Sequence, residues 1–237
     1  MSSKLAERII DTYRSRPTVA VLMSLGGTNT EKILADEEIR DLYNISAIVT
    51  DTVTSRAEEI ASRHGLEYIL AQTGRFNSRE ERVSYFDALS AQLGSIGVGA
   101  LFYAGFMRIA AGSIIERFPG VNSHPADLTV TDPSGIALYR GMHAIDLMRA
   151  GSGTIGASVH AVDHMVDTGE TFVHSLPQVV DSGLTERECH NLIKPVEHQM
   201  YPLTLRMLGN GILRIADMPY TYDPASDALY TNSGDKA

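Results

Sequence analysis

Four times between residues 18 and 118 the chain runs a short apolar segment into a helix-patterned one. TVAVLMS (18–24) is followed by a glycine loop and a helix opening near Asn29. ISAIVT (45–50) precedes SRAEEIASRHG (55–65), whose final glycine suits a helix C-cap. EYIL (67–70) precedes SREERVSYFDALSAQL (78–93), and ALFYAG (100–105) precedes AAGSIIERF (110–118). Strands that alternate with helices build βαβ units and a parallel sheet. The strand segments are almost wholly apolar, as they must be when helices cover both faces of a sheet. This repetition restricts the chain to an α/β architecture: a single-domain, Rossmann-like open sheet that is mostly parallel.

The second half reads differently. VNSHPADL (121–128) is a strand end that runs into a polar loop, and residues 129–141 are irregular. A helix is expected over 142–151. TIGASVHAV (154–162) and ETFVHSLPQVV (170–180), joined by a short loop, are the antiparallel part of the sheet. Residues 185–211 form a long helix, expected to be interrupted or kinked near Pro195. Ahead of the first strand, residues 4–14 place Leu5, Ile9, Ile10 and Tyr13 on one side of a helix. That extension, residues 1–17, can cover a sheet edge or make a homodimer contact. The main domain is expected over 18–215, and residues 216–237 read as a polar, mobile tail.

Composition narrows the function classes. With 20 basic and 29 acidic residues the net charge is −9, which disfavours binding to a phosphate backbone. The lone cysteine, Cys189, permits no intrachain disulfide and fits a reducing compartment. The N-terminal residues lack the apolar core of a signal peptide, and the densest apolar run, 98–107, is too short to span a bilayer. A cytoplasmic protein without membrane or nucleic-acid partners is expected.

Ligands of open α/β sheets bind beyond the carboxyl ends of the strands, and three sequence features fall there. SLGGTN (24–29) could cradle an anion on backbone N–H groups at a helix start, or be a plain strand-to-helix turn. It lacks the third glycine of a dinucleotide fingerprint, although Asp51 ends the second strand. Asn122-Ser123-His124-Pro125 offers an amide that can donate to an oxyanion and an imidazole that can move a proton; the alternative is a structural loop. His160, Asp163, His164 and Asp167 have a spacing that suggests metal ligation, but a strand running into a loop need not bring the two histidines to one face. No G-x-S-x-G occurs, and Cys189 has no evident base partner.

Six segments in fixed order then resemble the folate-dependent formyltransferases, with the glycinamide ribonucleotide branch the nearest. They are VLMSLGGTN (21–29), FNSRE (76–80), YAGFMRI (103–109), NSHP (122–125), SVHAVDHMVDTG (158–169) and KPVEHQMYP (194–202). The resemblance implies transfer of a formyl group from the co-substrate 10-formyltetrahydrofolate to the primary amine of a small phosphorylated acceptor. Glycinamide ribonucleotide, an intermediate of purine synthesis, is the expected acceptor, and no metal is implied. Asn122, His124 and Asp167 are the implied catalytic trio. Arg79, the backbone of Met107, Arg108, Ile109 and Ala110, and Val162, Asp163 and His164 are the implied folate contacts. Gly27, Thr28 and Asn29, with Lys194 and Glu197, are the implied acceptor contacts.

Two departures from the family pattern stand out. Leu25 occupies the place of the first loop glycine. ADLTVTDPSGIALYRG (126–141) replaces a shorter segment beside Asn122 and His124. Arg140 in that loop is a candidate substrate handle. The altered loop keeps a second reading open, an N-formyltransferase of a specialised pathway that acts on a different amine.

Overall fold

The computed structural model describes residues 3–237. Strands β1 (Thr18–Leu22), β2 (Asn44–Thr50), β3 (Glu67–Leu70), β4 (Ala100–Tyr103) and β5 (Gly120–His124) pair in parallel in the order β5-β4-β1-β2-β3. The helices between them are α2 (Thr28–Ala35), α3 (Glu37–Leu42), α4 (Ala57–His64), α5 (Arg79–Ser95) and α6 (Ser113–Arg117). The βαβ repetition seen in the sequence therefore reflects the actual connectivity. Alternate strand residues enter two cores. Ala20, Leu22, Leu101 and Tyr103 pack under α5 and α6, while Val19, Val21, Phe102 and Val121 face the opposite side.

Past β5 the sheet turns antiparallel. After α7 (Ala144–Ser152), β6 (Thr154–Ile155) leads into β7 (Ser158–Ala161), which runs against β5 with His160 opposite Asn122. β8 (Thr171–Ser175) runs against β7, and β9 (Gln178–Val179) pairs with β6 as a separate ribbon. The long helix α8 (Glu186–Gly209) opens with a capping box made by Thr185 and Glu188. It runs without a break through Pro195 and Pro202, so the expected interruption near Pro195 does not occur. Pro195 leaves the carbonyl of Asn191 without its helical partner, and Asn191 lies on the exposed face, where water can take that bond.

The C-terminal segment also corrects its sequence reading. β10 (Tyr220–Asp223) pairs in parallel with β8, and β11 (Ala228–Tyr230) pairs with β10, extending the sheet to nine strands. Tyr220 and Tyr222 alternate inward and are fully buried among the core residues. Overall polarity hid a short period-2 pattern whose two aromatics supply the missing apolar face.

The N-terminal helix α1 (Ser3–Arg14) covers its own sheet. Ile9 and Tyr13 are fully buried, and the Tyr13 hydroxyl donates to the Leu101 carbonyl at 2.7 Å. The Tyr13 ring lies 5.8 Å from Tyr43 and 5.7 Å from Phe102, giving an aromatic cluster at the centre of one core. Truncating a buried aromatic removes transfer energy and leaves a cavity. Tyr13→Ala is therefore expected to lower the unfolding free energy by about 3–5 kcal/mol in urea titrations. A loss below about 1 kcal/mol would mean that α1 is not packed as described.

Candidate active site

Three adjacent central strands, β5, β4 and β1, point their carboxyl ends at one cavity of about 420 Å3. The β1 loop is held open by backbone geometry. Gly27 adopts φ 69°, and a Cβ there would lie 2.6 Å from the Met23 methyl and 2.7 Å from Ile60 Cδ1. Only glycine fits both the left-handed turn and the space. Leu25, Gly27, Thr28 and Asn29 then line the cavity at the start of α2, where free N–H groups point outward. Leu25 is exposed, so the residue that departs from the glycine pattern presents its side chain at the mouth.

The β4 loop is clamped to β1. Buried Ser24 accepts from the Met107 N–H at 2.8 Å through its hydroxyl and donates its own N–H to the Gly105 carbonyl at 3.0 Å. Arg108 does not reach toward a ligand. Its Nε donates to Asp51 Oδ2 at 2.5 Å, and its Nη2 donates to the Thr73 carbonyl at 3.1 Å. Asp51 is thus consumed in holding the Met107–Ala110 backbone against the cavity, which removes it from the nucleotide role that its place at the end of β2 suggested.

The polar centre is built on β5, β7 and two loops. Cross-strand register brings Asn122 opposite His160, and Asn122 Nδ2 donates to His160 Nε2 at 3.0 Å. His160 Nδ1 donates to the Ala161 carbonyl at 2.8 Å. A carbonyl can only accept, so Nδ1 carries the proton and the neutral ring accepts at Nε2. Burial pushes the His160 imidazole down to about 4, more strongly than Asp167 pulls it up. His124 is oriented by the same logic, since its Nε2–H donates to the Tyr139 carbonyl at 2.9 Å. This leaves His124 Nδ1 facing Asp167 Oδ2 at 3.5 Å, while Asp167 Oδ1 lies 3.5 Å from His160 Nε2. Asp167 sits at φ 50°, a strained position for a side-chain-bearing residue, and accepts from the Gly141 N–H at 2.8 Å. Gly169, two residues on, passes so close to β7 that a Cβ would meet the Ala161 carbonyl oxygen at 2.0 Å.

α8 supplies the remaining wall. Glu197 is buried, accepts from the Ser123 hydroxyl at 2.8 Å, and is pushed up to about 7 by desolvation, with Lys194 pulling it back. Lys194 and half-buried His190 line the same cavity.

The cavity therefore brings together Gly27, Thr28, Asn29, Met107, Arg108, Ile109, Ala110, Asn122, His124, Val162, Asp163, Asp167, Lys194 and Glu197. Two expected residues lie elsewhere. His164 is exposed and outside the cavity lining, because Asp163 accepts from the Met165 N–H at 3.0 Å and from the Thr168 hydroxyl, a turn that rotates position 164 outward. Arg79 lines a neighbouring pocket at the start of α5. Among the described residues no three His, Cys, Asp or Glu side chains are grouped to hold a metal ion, so the spacing of His160, His164 and Asp167 does not become a ligand set. Cys189 lies on the buried face of α8. Arg140 donates to the Ala137 carbonyl of its own loop at 2.9 Å and across to the Val166 carbonyl of the 162–167 loop at 3.3 Å. The residues that sequence reasoning missed are Ser123 and the backbone of Tyr139 and Gly141. Backbone groups leave no side-chain signal, and a serine between Asn122 and His124 looks like filler.

The formyl transferase family pattern matches residues 18–205. The chain belongs to the formyl transferase family. The trifunctional purine biosynthetic protein adenosine-3 of Drosophila melanogaster is 30% identical over 213 residues, covering 85% of this chain. That of Gallus gallus is 28% identical over 204 residues, covering 84%. The chain spans only 14% and 19% of those two proteins. Among solved structures, glycinamide ribonucleotide transformylase 1 from Symbiobacterium toebii is 27% identical with a TM-score of 0.69, over 84% of this chain and 90% of that one. Phosphoribosylglycinamide formyltransferase from Bacillus halodurans is 26% identical with a TM-score of 0.67, over 81% and 94%. In this formyl transferase, α1, β10 and β11 lie outside the family match, so the sheet carries two strands beyond it.

Glu197 gives a pH-dependent test. Its folded pKa of about 7 exceeds the unfolded value of 4.5, so the folded state holds the extra proton between them. Stability then falls as pH rises through that window and levels off above it. Glu197→Gln removes this titration, so its stability relative to the parent should grow by up to about 3 kcal/mol between pH 4.5 and 7.5. Urea denaturation across that range measures it. A difference that is constant with pH would show that Glu197 does not titrate there.

Proposed function

We propose that the chain transfers the formyl group of 10-formyltetrahydrofolate to the primary amine of glycinamide ribonucleotide. The observation that carries this reading is the convergence of Asn122, His124 and Asp167 at the carboxyl ends of the central strands, with His124 Nδ1 left facing Asp167. The two solved relatives above, which act on that acceptor by name, support it.

The chemistry follows from the hydrogen bonds. The acceptor amine attacks the formyl carbon and the carbonyl π electrons move to oxygen. Asn122 has one Nδ2 hydrogen committed to His160 and a second free to meet that oxyanion. His124 has Nε2–H held by Tyr139, so Nδ1 is the one ring nitrogen left to act, and when it carries a proton it can donate to the same oxygen. Asp167 sits beside it to balance the charge and to receive the proton shed by the attacking amine, directly or through a water. Collapse of the tetrahedral intermediate breaks the bond to the folate N10, which takes up a proton, and releases the formamide. Electrostatic stabilisation of the oxyanion is the main catalytic term, and no enzyme-bound covalent intermediate is required.

The folate ring packs against the Met107–Ala110 backbone and the 162–167 loop, with Arg79 reserved for a carboxylate of its tail. The acceptor phosphate rests on Gly27, Thr28 and Asn29, where backbone N–H groups open α2. Lys194 and Glu197 complete that end. The protein is read as a cytoplasmic enzyme; among the described residues no helix is long and apolar enough to cross a membrane. The altered acceptor-side loop, residues 126–141, favours a second reading in which a different phosphorylated amine is formylated.

Release of tetrahydrofolate, followed by absorbance with and without glycinamide ribonucleotide, tests the assignment. Release should depend on the acceptor, and His124→Ala should lower kcat by about 10²–10³-fold, the usual effect of removing one oxyanion donor. Binding of the folate without turnover would move the acceptor to another amine. No folate binding would refute the reading.

A further inference from the structure

Two departures of this chain from its family touch one another. The 126–141 loop leaves β5 directly after His124 and Pro125, and β10 lies beyond the matched residues 18–205. Strand register joins them. Ser158 of β7 stands opposite His124 and also opposite His174 of β8, and His174 stands opposite Thr221 of β10. Residues paired across a sheet share a face, so one polar row runs from the catalytic histidine to the C-terminal hairpin.

The start of the loop is fastened to that row. The Leu128 N–H donates to Ser158 Oγ at 3.0 Å. Asp127 is buried, and its Oδ1 accepts from the Thr129 N–H at 2.9 Å and the Thr129 hydroxyl at 2.6 Å, closing a tight turn. The same oxygen lies 3.4 Å from His174 Nδ1, which is buried and makes no hydrogen bond of its own. The other ring nitrogen, Nε2, is 3.0 Å from the Thr221 hydroxyl. A lone pair on Nδ1 would point at a carboxylate, so Nδ1 carries a proton and Nε2 bonds to Thr221. Burial raises the Asp127 carboxyl, but His174 and Thr129 pull it below its ordinary value, so it is charged at neutral pH. A buried carboxylate is costly to leave unpaired, which makes these contacts a firm anchor.

The anchor reaches His124 through one packing contact. Ala126 lies beside Asp127 in the chain and packs with Tyr139, Ala144 and Met148 in a small core under the loop. Tyr139 is the residue whose carbonyl holds His124 Nε2–H. Asp127, His174 and Thr221 do not line the catalytic cavity, so none of them meets a ligand there.

We infer that Asp127 is a positioning residue for His124, held in turn by His174 and by Thr221 of the C-terminal hairpin. The hairpin thereby sets the aim of a catalytic group from outside the cavity. The inference rests on the proposed use of His124 in formyl transfer.

The test measures kcat and the donor KM, with glycinamide ribonucleotide as acceptor, in Asp127→Ala, Asp127→Asn, Thr221→Val and the Asp127→Ala/Thr221→Val double variant. Counting kcat per folate-binding site keeps unfolded protein out of the comparison. Asp127→Ala should lower kcat about tenfold and leave KM within about twofold, since a misaimed group slows chemistry without weakening binding. Asp127→Asn keeps an acceptor oxygen and should return to within about threefold of the parent. Thr221→Val removes one hydroxyl outside the cavity and should lower kcat about threefold. The double variant should be no slower than Asp127→Ala alone, because the two residues act along one chain of contacts. Solvent exchange of His124 Nε2–H, followed by NMR of ¹⁵N-labelled protein without substrate, should quicken about tenfold in Asp127→Ala. An Asp127→Ala kcat within about twofold of the parent, unchanged exchange, or losses that multiply in the double variant overturn the inference and leave formyl transfer standing. If the parent itself gives no turnover, the formyl-transfer reading has failed. The exchange rate then decides the positioning of His124 by itself, faster exchange in Asp127→Ala supporting it and unchanged exchange overturning it.

Discussion

The Asp167 carboxylate ties the site together. Its two oxygens lie 3.5 Å from ring nitrogens of His124 and His160, and one of them also accepts from the Gly141 N–H. Four segments thereby meet at one charge: β5, β7, the 126–141 loop and the 162–170 loop. A largely buried carboxylate is costly to leave unpaired, so this arrangement fixes all four together. The strained φ of Asp167 and the contact that excludes a Cβ at Gly169 are the backbone cost of bringing the carboxylate there. The carbonyls of Ala161 and Tyr139 assign the protons of the two histidines. His160 presents a lone pair that orients the Asn122 amide, and His124 presents Nδ1.

The sheet determines where this can happen. Parallel pairing of β5, β4 and β1 brings three carboxyl ends side by side, and the switch to antiparallel β7 sets His160 across from Asn122. Functional groups arrive there from loops whose shapes are held elsewhere, such as the Ser24 clamp on Met107 and the Arg108–Asp51 pair. The 126–141 loop contributes through its backbone, with Tyr139 holding His124 and Gly141 holding Asp167. Its sequence can therefore differ from the family pattern while its hydrogen-bonding task is met.

The parallel half of the fold was legible because its apolar strands and capped helices repeat, and β3 falls exactly on the expected residues 67–70. The tail was misread because β10 and β11 are three or four residues long and carry their apolar face on tyrosines and alanine within a polar stretch. Among site residues, Asn122, His124 and Asp167 were visible through motif order, but their hydrogen-bond directions were not. The same spacing that suggested metal ligation at His160 and His164 is broken by the Asp163 turn, which depends on the partner Thr168 five residues away. Ser123 was invisible because its value lies in Glu197, 74 residues distant in sequence. Side-chain type marks a site; the tautomers, the buried carboxyl and the loop backbone that complete it depend on contacts that only folding creates.

The central claim is that these residues pass a formyl group from a folate to an amine. Its most direct test is a single-turnover reaction with a donor labelled by ¹³C at the formyl carbon, in the presence of glycinamide ribonucleotide, followed by ¹³C NMR. The label should move from the folate N-formyl resonance to a new formamide resonance, with none appearing as formate. Label released as formate, or left on the folate while the acceptor is bound, would contradict formyl transfer to that amine.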